Sequence, residues 1–209
     1  MHNAKREPRR GSRLAAPGRL STLAACALLA LLTAAPARAN TAEPMVPFFT
    51  LKETAEKLLP GAENLTRRDI ELSPGKRREL EKNQNWNSEE DAYVLYHQKN
   101  AEKKITRTLV LFPEASRQGT LVVAVALDNH GKVTGALVKE AQRPTVQWLL
   151  PLVRQGYMDR FTGQGQEMDL NSAARLKEDV PPISKTYALR IANAVKKSAQ
   201  LFHVYFARP

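Results

Sequence analysis

Cysteine occurs once in 209 residues, at position 26. Any mature protein that starts after that point can build no disulfide, no cysteine-ligated iron–sulfur cluster and no C-x-x-C-H haem attachment. Histidine occurs four times: beyond His2, the residues His97, His130 and His203 lie far apart, with no metal-ligand spacing among them. The chain contains no G-x-S-x-G, no phosphate-binding P-loop and no G-x-G-x-x-G, so the common catalytic signatures are missing. Aromatic residues make up 6% of the chain. None interleaves with the basic clusters Arg67-Arg68, Lys76-Arg77-Arg78 and Lys99 with Lys103-Lys104, as a base-stacking platform would require. These clusters read as a solvated face, and neither a nucleic acid nor a metal is expected as a partner. No apolar run reaches the ~20 residues of a membrane span.

What is present begins with a leader. Lys5, Arg6, Arg9, Arg10, Arg13 and Arg19 precede the apolar run Thr22 to Ala35, and Ala37 and Ala39 stand before Asn40. Basic stretch, short apolar stretch and A-x-A is the order of a secretory signal, so residues 1–39 are expected to be removed and the protein exported, to the periplasm or the cell surface. A rival is the lipoprotein-like "LAAC", Leu23 to Cys26, which would anchor the chain through Cys26; retention by an uncleaved signal is a further alternative. Most of the apolar run follows Cys26, where a mature lipoprotein should already be polar. The leader holds seven of the Lys and Arg residues and one Glu, leaving +5 of the total net charge of +11 for the rest. The basic character is therefore largely a property of the leader, which weakens any nucleic-acid reading based on net charge.

About 170 residues remain, enough for one domain with a real core. Residues 40–47 read as a loose start and 48–209 as a single domain. Phe48 and Phe49 lead into Leu51, Ala55, Leu58 and Leu59 at helical spacing, stopped by Pro60-Gly61. Ser73 and Pro74 open a second, charged helix running to about Asn83. The period then changes. "DAYVLYHQ" (91–98) and "ITRTLVLF" (105–112) are rich in strand formers. "TLVVAVALD" is apolar on both faces and reads as a central strand; Asp128 to Gly131 is a turn, and 132–140 returns antiparallel. His130 in that turn is expected in solvent. Residues 144–161 are helical in tendency, broken by Pro151, with Trp148 and Phe161 as core anchors; 162–182 read as loop. The last helix has Ala188, Ala192, Val195, Ala199 and Phe202 on one seam and Ile191, Ala194, Ser198, Leu201 and Tyr205 on the next. Arg190, Asn193, Lys197 and Gln200 line the opposite side. The expected fold is α+β: an antiparallel sheet packed by the long C-terminal helix, with two N-terminal helices.

The entrance of that helix, "DVPPISKTYALR", gathers Ser184, Lys185 and Thr186 after two prolines. A helix start carries roughly half a positive charge and free N–H groups, which suits a phosphate; Lys185 adds charge, and Ser184 and Thr186 add hydroxyls. The simpler reading makes Ser184 an ordinary N-cap, worth about 1 kcal/mol, with Ile183 stapled onto Ala188. Both remain open on the residues alone.

The order of "LLPGAE" (58–63), "VVAVALDNHGKVTGALVKE", "WLLPLVRQGYMDRFTGQ" and the helix "IANAVKKSAQLF" resembles the FMN-binding domain family of exported flavoproteins. That family includes the covalently flavinylated subunits of the Rnf complex and the sodium-pumping NADH:quinone reductase. The resemblance covers about residues 48–206. It implies an FMN site at the helix entrance, where the family carries Ser/Thr-Gly-Ala-Thr/Ser with an aspartate upstream and attaches flavin to the last hydroxyl. Here Ser184 matches the first hydroxyl and Thr186 the acceptor with one residue missing, or Lys185 falls at the acceptor position in a gapless alignment. The Gly-Ala pair is absent and Asp179 is displaced, so the flavin is expected to be non-covalent. On this resemblance the cofactor-binding residues are Ser184, Lys185, Thr186 and Tyr187. The implied role is extracytoplasmic electron transfer with a membrane or periplasmic redox partner, as a carrier rather than an enzyme. The alternative is a degenerate, flavin-free domain acting as a binding or assembly module in the periplasm.

Overall fold

The computed structural model describes residues 43–61, 65–86, 90–176 and 180–206. The leader, Asp179 and the C-terminal residues 207–209 lie outside the described residues. Six strands follow one another: β1 (Met45–Pro47), β2 (Leu65–Glu71), β3 (Ala92–Lys99), β4 (Ile105–Glu114), β5 (Leu121–Asp128) and β6 (Val133–Gln142). They form one sheet in the order β1-β6-β5-β4-β3-β2, and every neighbouring pair is antiparallel. β2 to β6 are therefore a meander, with short connections from β3 onward and a longer one, residues 72–91, between β2 and β3.

The centre of the sheet follows from residue type. β5 is β-branched and aliphatic on both faces, lies between β4 and β6, and buries all but its second and last residues. Its hairpin to β6 is fixed by Asp128, whose Oδ1 accepts from the backbone N–H groups of His130 and Lys132 at 2.8 and 2.9 Å. His130 is exposed there. Gly131 has φ +76, and a Cβ at that position would lie 2.9 Å from Phe202 Cδ1; both facts demand glycine.

The edges differ from expectation. The start is not loose throughout: Met45–Pro47 pairs with Gln142–Glu140 of β6. Three residues carry too little pattern to be read as a strand, and an edge tolerates Pro47, whose missing N–H breaks no internal ladder. β2 was also not legible, because in "LTRRDIE" only Ile70 is buried. Its Arg67, Arg68 and Asp69 are the charges that keep an edge strand from pairing with other chains.

Among the described residues, one face of the sheet carries only α1 (Leu51–Leu58), opened by a reciprocal cap in which Glu53 N–H donates to Thr50 Oγ1 and Thr50 N–H to Glu53 Oε2. Beneath it lies a small core of Leu59, Leu109, Ala124, Ala126 and Leu137. The other face holds the main core. α2 (Pro74–Leu80), α3 (Arg143–Arg154), a 3₁₀ turn (Tyr157–Phe161), α4 (Leu170–Ala173) and α5 (Pro182–Phe206) belong to it. α3 runs through Pro151 rather than breaking there. The proline frees only the carbonyl of Gln147, which sits on the exposed side of the helix where water can take the lost bond. α4, capped by Asp169, lies within the segment expected to be mostly loop.

The polar side of α5 is partly internal. Thirteen of its 25 residues are buried, Lys197 and Gln200 among them. Ala188, Ile191, Ala192, Val195, Ala199 and Phe202 pack in the main core, as their spacing predicts, while the polar row faces other protein groups. α5 is thus the central helix of the main layer.

Candidate functional site

The four residues expected at the α5 entrance do not converge. Ser184 is the third residue of α5, fully buried, and its Oγ donates to the carbonyl of Trp148 in α3 at 2.8 Å. It is a tether between helices, not an N-cap; the helix begins at Pro182, three residues earlier than an N-cap at Ser184 would place it, and a proline suits a first turn. Tyr187, one turn on, is 1% exposed and belongs to the core. Burial pushes its hydroxyl pKa up, against smaller opposing effects of Ser116 and Arg190. Lys185 and Thr186 are exposed on the other side.

Thr186 opens onto a pocket of about 300 Å³ that it shares with Asn85, Glu114, Arg190 and Asn193, walled by Leu170 and Leu189. The floor is a polar network that sequence reasoning missed. Lys197 Nζ lies 3.1 and 3.4 Å from the two Glu114 oxygens, with side chains 2% and 8% exposed. Asn193 Nδ2 donates to Glu114 Oε1 at 3.3 Å, and Asn85 Nδ2 donates to Asn193 Oδ1 at 3.1 Å. Asn85 and Gln200 exchange amide hydrogen bonds at 3.2 and 2.9 Å. Burial holds the Lys197 pKa below its ordinary value, opposed by the attraction and hydrogen bonding of Glu114. The ammonium also lies 5.7 Å from the centre of the Phe112 ring, which stacks on Tyr93 and meets Trp86 edge-on. Arg190 Nη1 donates to the Ala115 carbonyl at 2.7 Å, while its Nε is buried without a hydrogen-bond partner among the described residues. The available signal was the spacing Asn193, Lys197, Gln200: three polar residues on one side of a helix are usually solvated, and only Glu114 across the sheet makes that side internal.

A second buried ionisable group lies near the far end of α5. His97 is 2% exposed, with Nδ1 2.9 Å from Thr108 Oγ1 and Nε2 unpartnered among the described residues; Phe206 meets its ring edge-on. Burial lowers its pKa from 6.5 to about 4, helped by the nearby charges of Arg68 and Lys99. The unfolded chain therefore takes up a proton at this residue before the folded one does. Its contribution is present in full above about pH 6.5 and is lost as the pH falls towards 4, an expected loss of roughly 3 kcal/mol. Denaturant unfolding from pH 7 to 4 should show that slope and a His97→Asn variant should flatten it; parallel profiles would count against a buried neutral imidazole.

Comparison with known protein families, with curated proteins and with solved structures finds no match. Among the described residues, no group of three or more His, Cys, Asp or Glu is placed to hold a metal ion, and no helix is long and apolar enough to cross a membrane.

Proposed function

We propose that the protein is an exported binding domain that holds FMN without a covalent bond and takes part in, or assists, electron transfer outside the cytoplasm. The observation that carries the reading is the meeting of Thr186 and Arg190, four residues apart on one face of α5, at the rim of a polar pocket, with Lys185 exposed beside them. The Arg190 guanidinium, with its buried unpartnered Nε, and the Thr186 hydroxyl fit a phosphate, with the Lys185 charge at the preceding residue. Lys185, Thr186 and Arg190 would hold that group. FMN, when bound, supplies the redox chemistry; the chain's residues bind it and orient it. Ser184 and Tyr187 support the site from behind, Ser184 by pinning the first turn of α5 to α3.

The expected result is that Lys185→Glu weakens FMN binding far more than Thr186→Val. The first reverses a charge beside the phosphate; the second removes one hydrogen bond, typically about 1 kcal/mol, or about 1.5–3 with a charged partner. Flavin fluorescence titration of the two variants checks it. Equal effects would place the phosphate elsewhere.

One observation favours the second reading, a flavin-free binding or assembly module. Ser184, the residue that matches the family's first hydroxyl, is committed to the Trp148 carbonyl inside the core. On that reading neither variant changes any flavin binding, because none occurs.

A further inference from the structure

We propose that the pocket bounded by α5, the end of β4 and the turn carrying Asn85 recognises a short polyhydroxylated chain ending in an anion, such as a polyol phosphate or a sugar phosphate. The inference rests on the pocket used above but not on flavin. A ribityl phosphate within FMN and a free sugar phosphate carry the same chemistry.

Charge sets the anionic end. Arg190 brings a positive charge to the pocket wall, and its buried Nε–H has no partner among the described residues. An unmade bond by a buried donor is costly, so a ligand oxygen that satisfies it is favoured in proportion. Thr186 adds a hydroxyl on the same helix face.

The hydroxyl-binding end is set by Glu114 and its neighbours. A carboxylate offers about four acceptor positions, and the hydrogen bonds from Asn193 and Lys197 fill three. Beside it the Asn193 amide gives one N–H to Glu114 and has a second to offer. An acceptor and a donor side by side suit hydroxyl groups, which do both. The amide pairing of Asn85 with Gln200 and Asn193 fixes this arrangement before any ligand arrives, so little ordering is left to be lost on binding. Leu170 and Leu189 supply an aliphatic wall for the C–H face of the chain. About 300 Å³ holds roughly ten non-hydrogen atoms at about 30 Å³ each, the size of such a fragment.

The test titrates the exported protein with glycerol 3-phosphate, glycerol and inorganic phosphate, by calorimetry and by the side-chain amide NMR signals of Asn85 and Asn193. Glycerol 3-phosphate should bind at least about tenfold more tightly than inorganic phosphate, since one added charged hydrogen bond is worth that much, and it should move both amide signals. Arg190→Gln, shown to be folded by its melting curve, should weaken it at least about tenfold, and Arg190→Lys should recover part of the loss. Displacement of bound FMN by glycerol 3-phosphate identifies the flavin as the carrier. Binding of glycerol 3-phosphate by a protein that ignores FMN leaves this inference standing and removes the flavin reading. Equal affinity for inorganic phosphate and glycerol 3-phosphate, or amide signals that stay still, would overturn it.

Discussion

Glu114→Ala is expected to destabilise the domain by about 3–5 kcal/mol, because it removes the carboxylate that pairs with the buried Lys197 ammonium. Lys197 is 1% exposed and Glu114 7%. Lys197 would respond by giving up its proton, extending the lowering that burial already imposes. Replacing both partners, Glu114→Leu with Lys197→Met, should restore much of the loss, since an apolar pair of similar volume carries no desolvation penalty. Urea denaturation of the single and double variants measures this. A loss below about 1 kcal/mol for Glu114→Ala would mean that water reaches Lys197 and that α5 does not seat its polar row against the sheet.

Phe202→Ala should have a comparable effect, about 3–5 kcal/mol, through a different cause. Its ring is 3% exposed and packs 5.3 Å from Phe206, near the closing turn of the central hairpin, where Gly131 leaves space for it. Truncation removes buried apolar area and leaves a cavity that the β5–β6 turn, held by Asp128, cannot readily close. Gly131→Ala should conflict with the same ring from the other side. A loss under about 1 kcal/mol for Phe202→Ala in chemical denaturation would make the C-terminal helix peripheral.

The α+β architecture was legible because its signals are periodic. β5 announced itself by apolar residues on both faces, the β5–β6 turn by Asp128 and Gly131, and α5 by two adjacent apolar seams. What stayed hidden depended on contacts between distant segments. β1 and β2 are edge strands whose residues carry no buried alternation, so nothing local separates them from loop. Pro151 reads as a breaker, and only the exposure of the Gln147 side makes it tolerable. The site was half legible. Lys185 and Thr186 are exposed near the start of α5, but which neighbours turn inward depends on where the first turn begins, and Pro182 moves that start. Lys197 and Gln200 read only as part of the polar side of the helix, and a polar row on a helix is usually solvated. Glu114, some eighty residues away in sequence, reverses that, and no local pattern links the two.

The account stands most directly on one measurement: equilibrium titration of the exported protein with FMN, followed by acid precipitation. The prediction is saturable binding of one FMN per chain, weakened strongly by Lys185→Glu, with the flavin released completely into the acid supernatant. Flavin that survives denaturation and maps to the peptide holding Thr186 would contradict the non-covalent site, and a protein that shows no saturable binding would contradict the flavin itself.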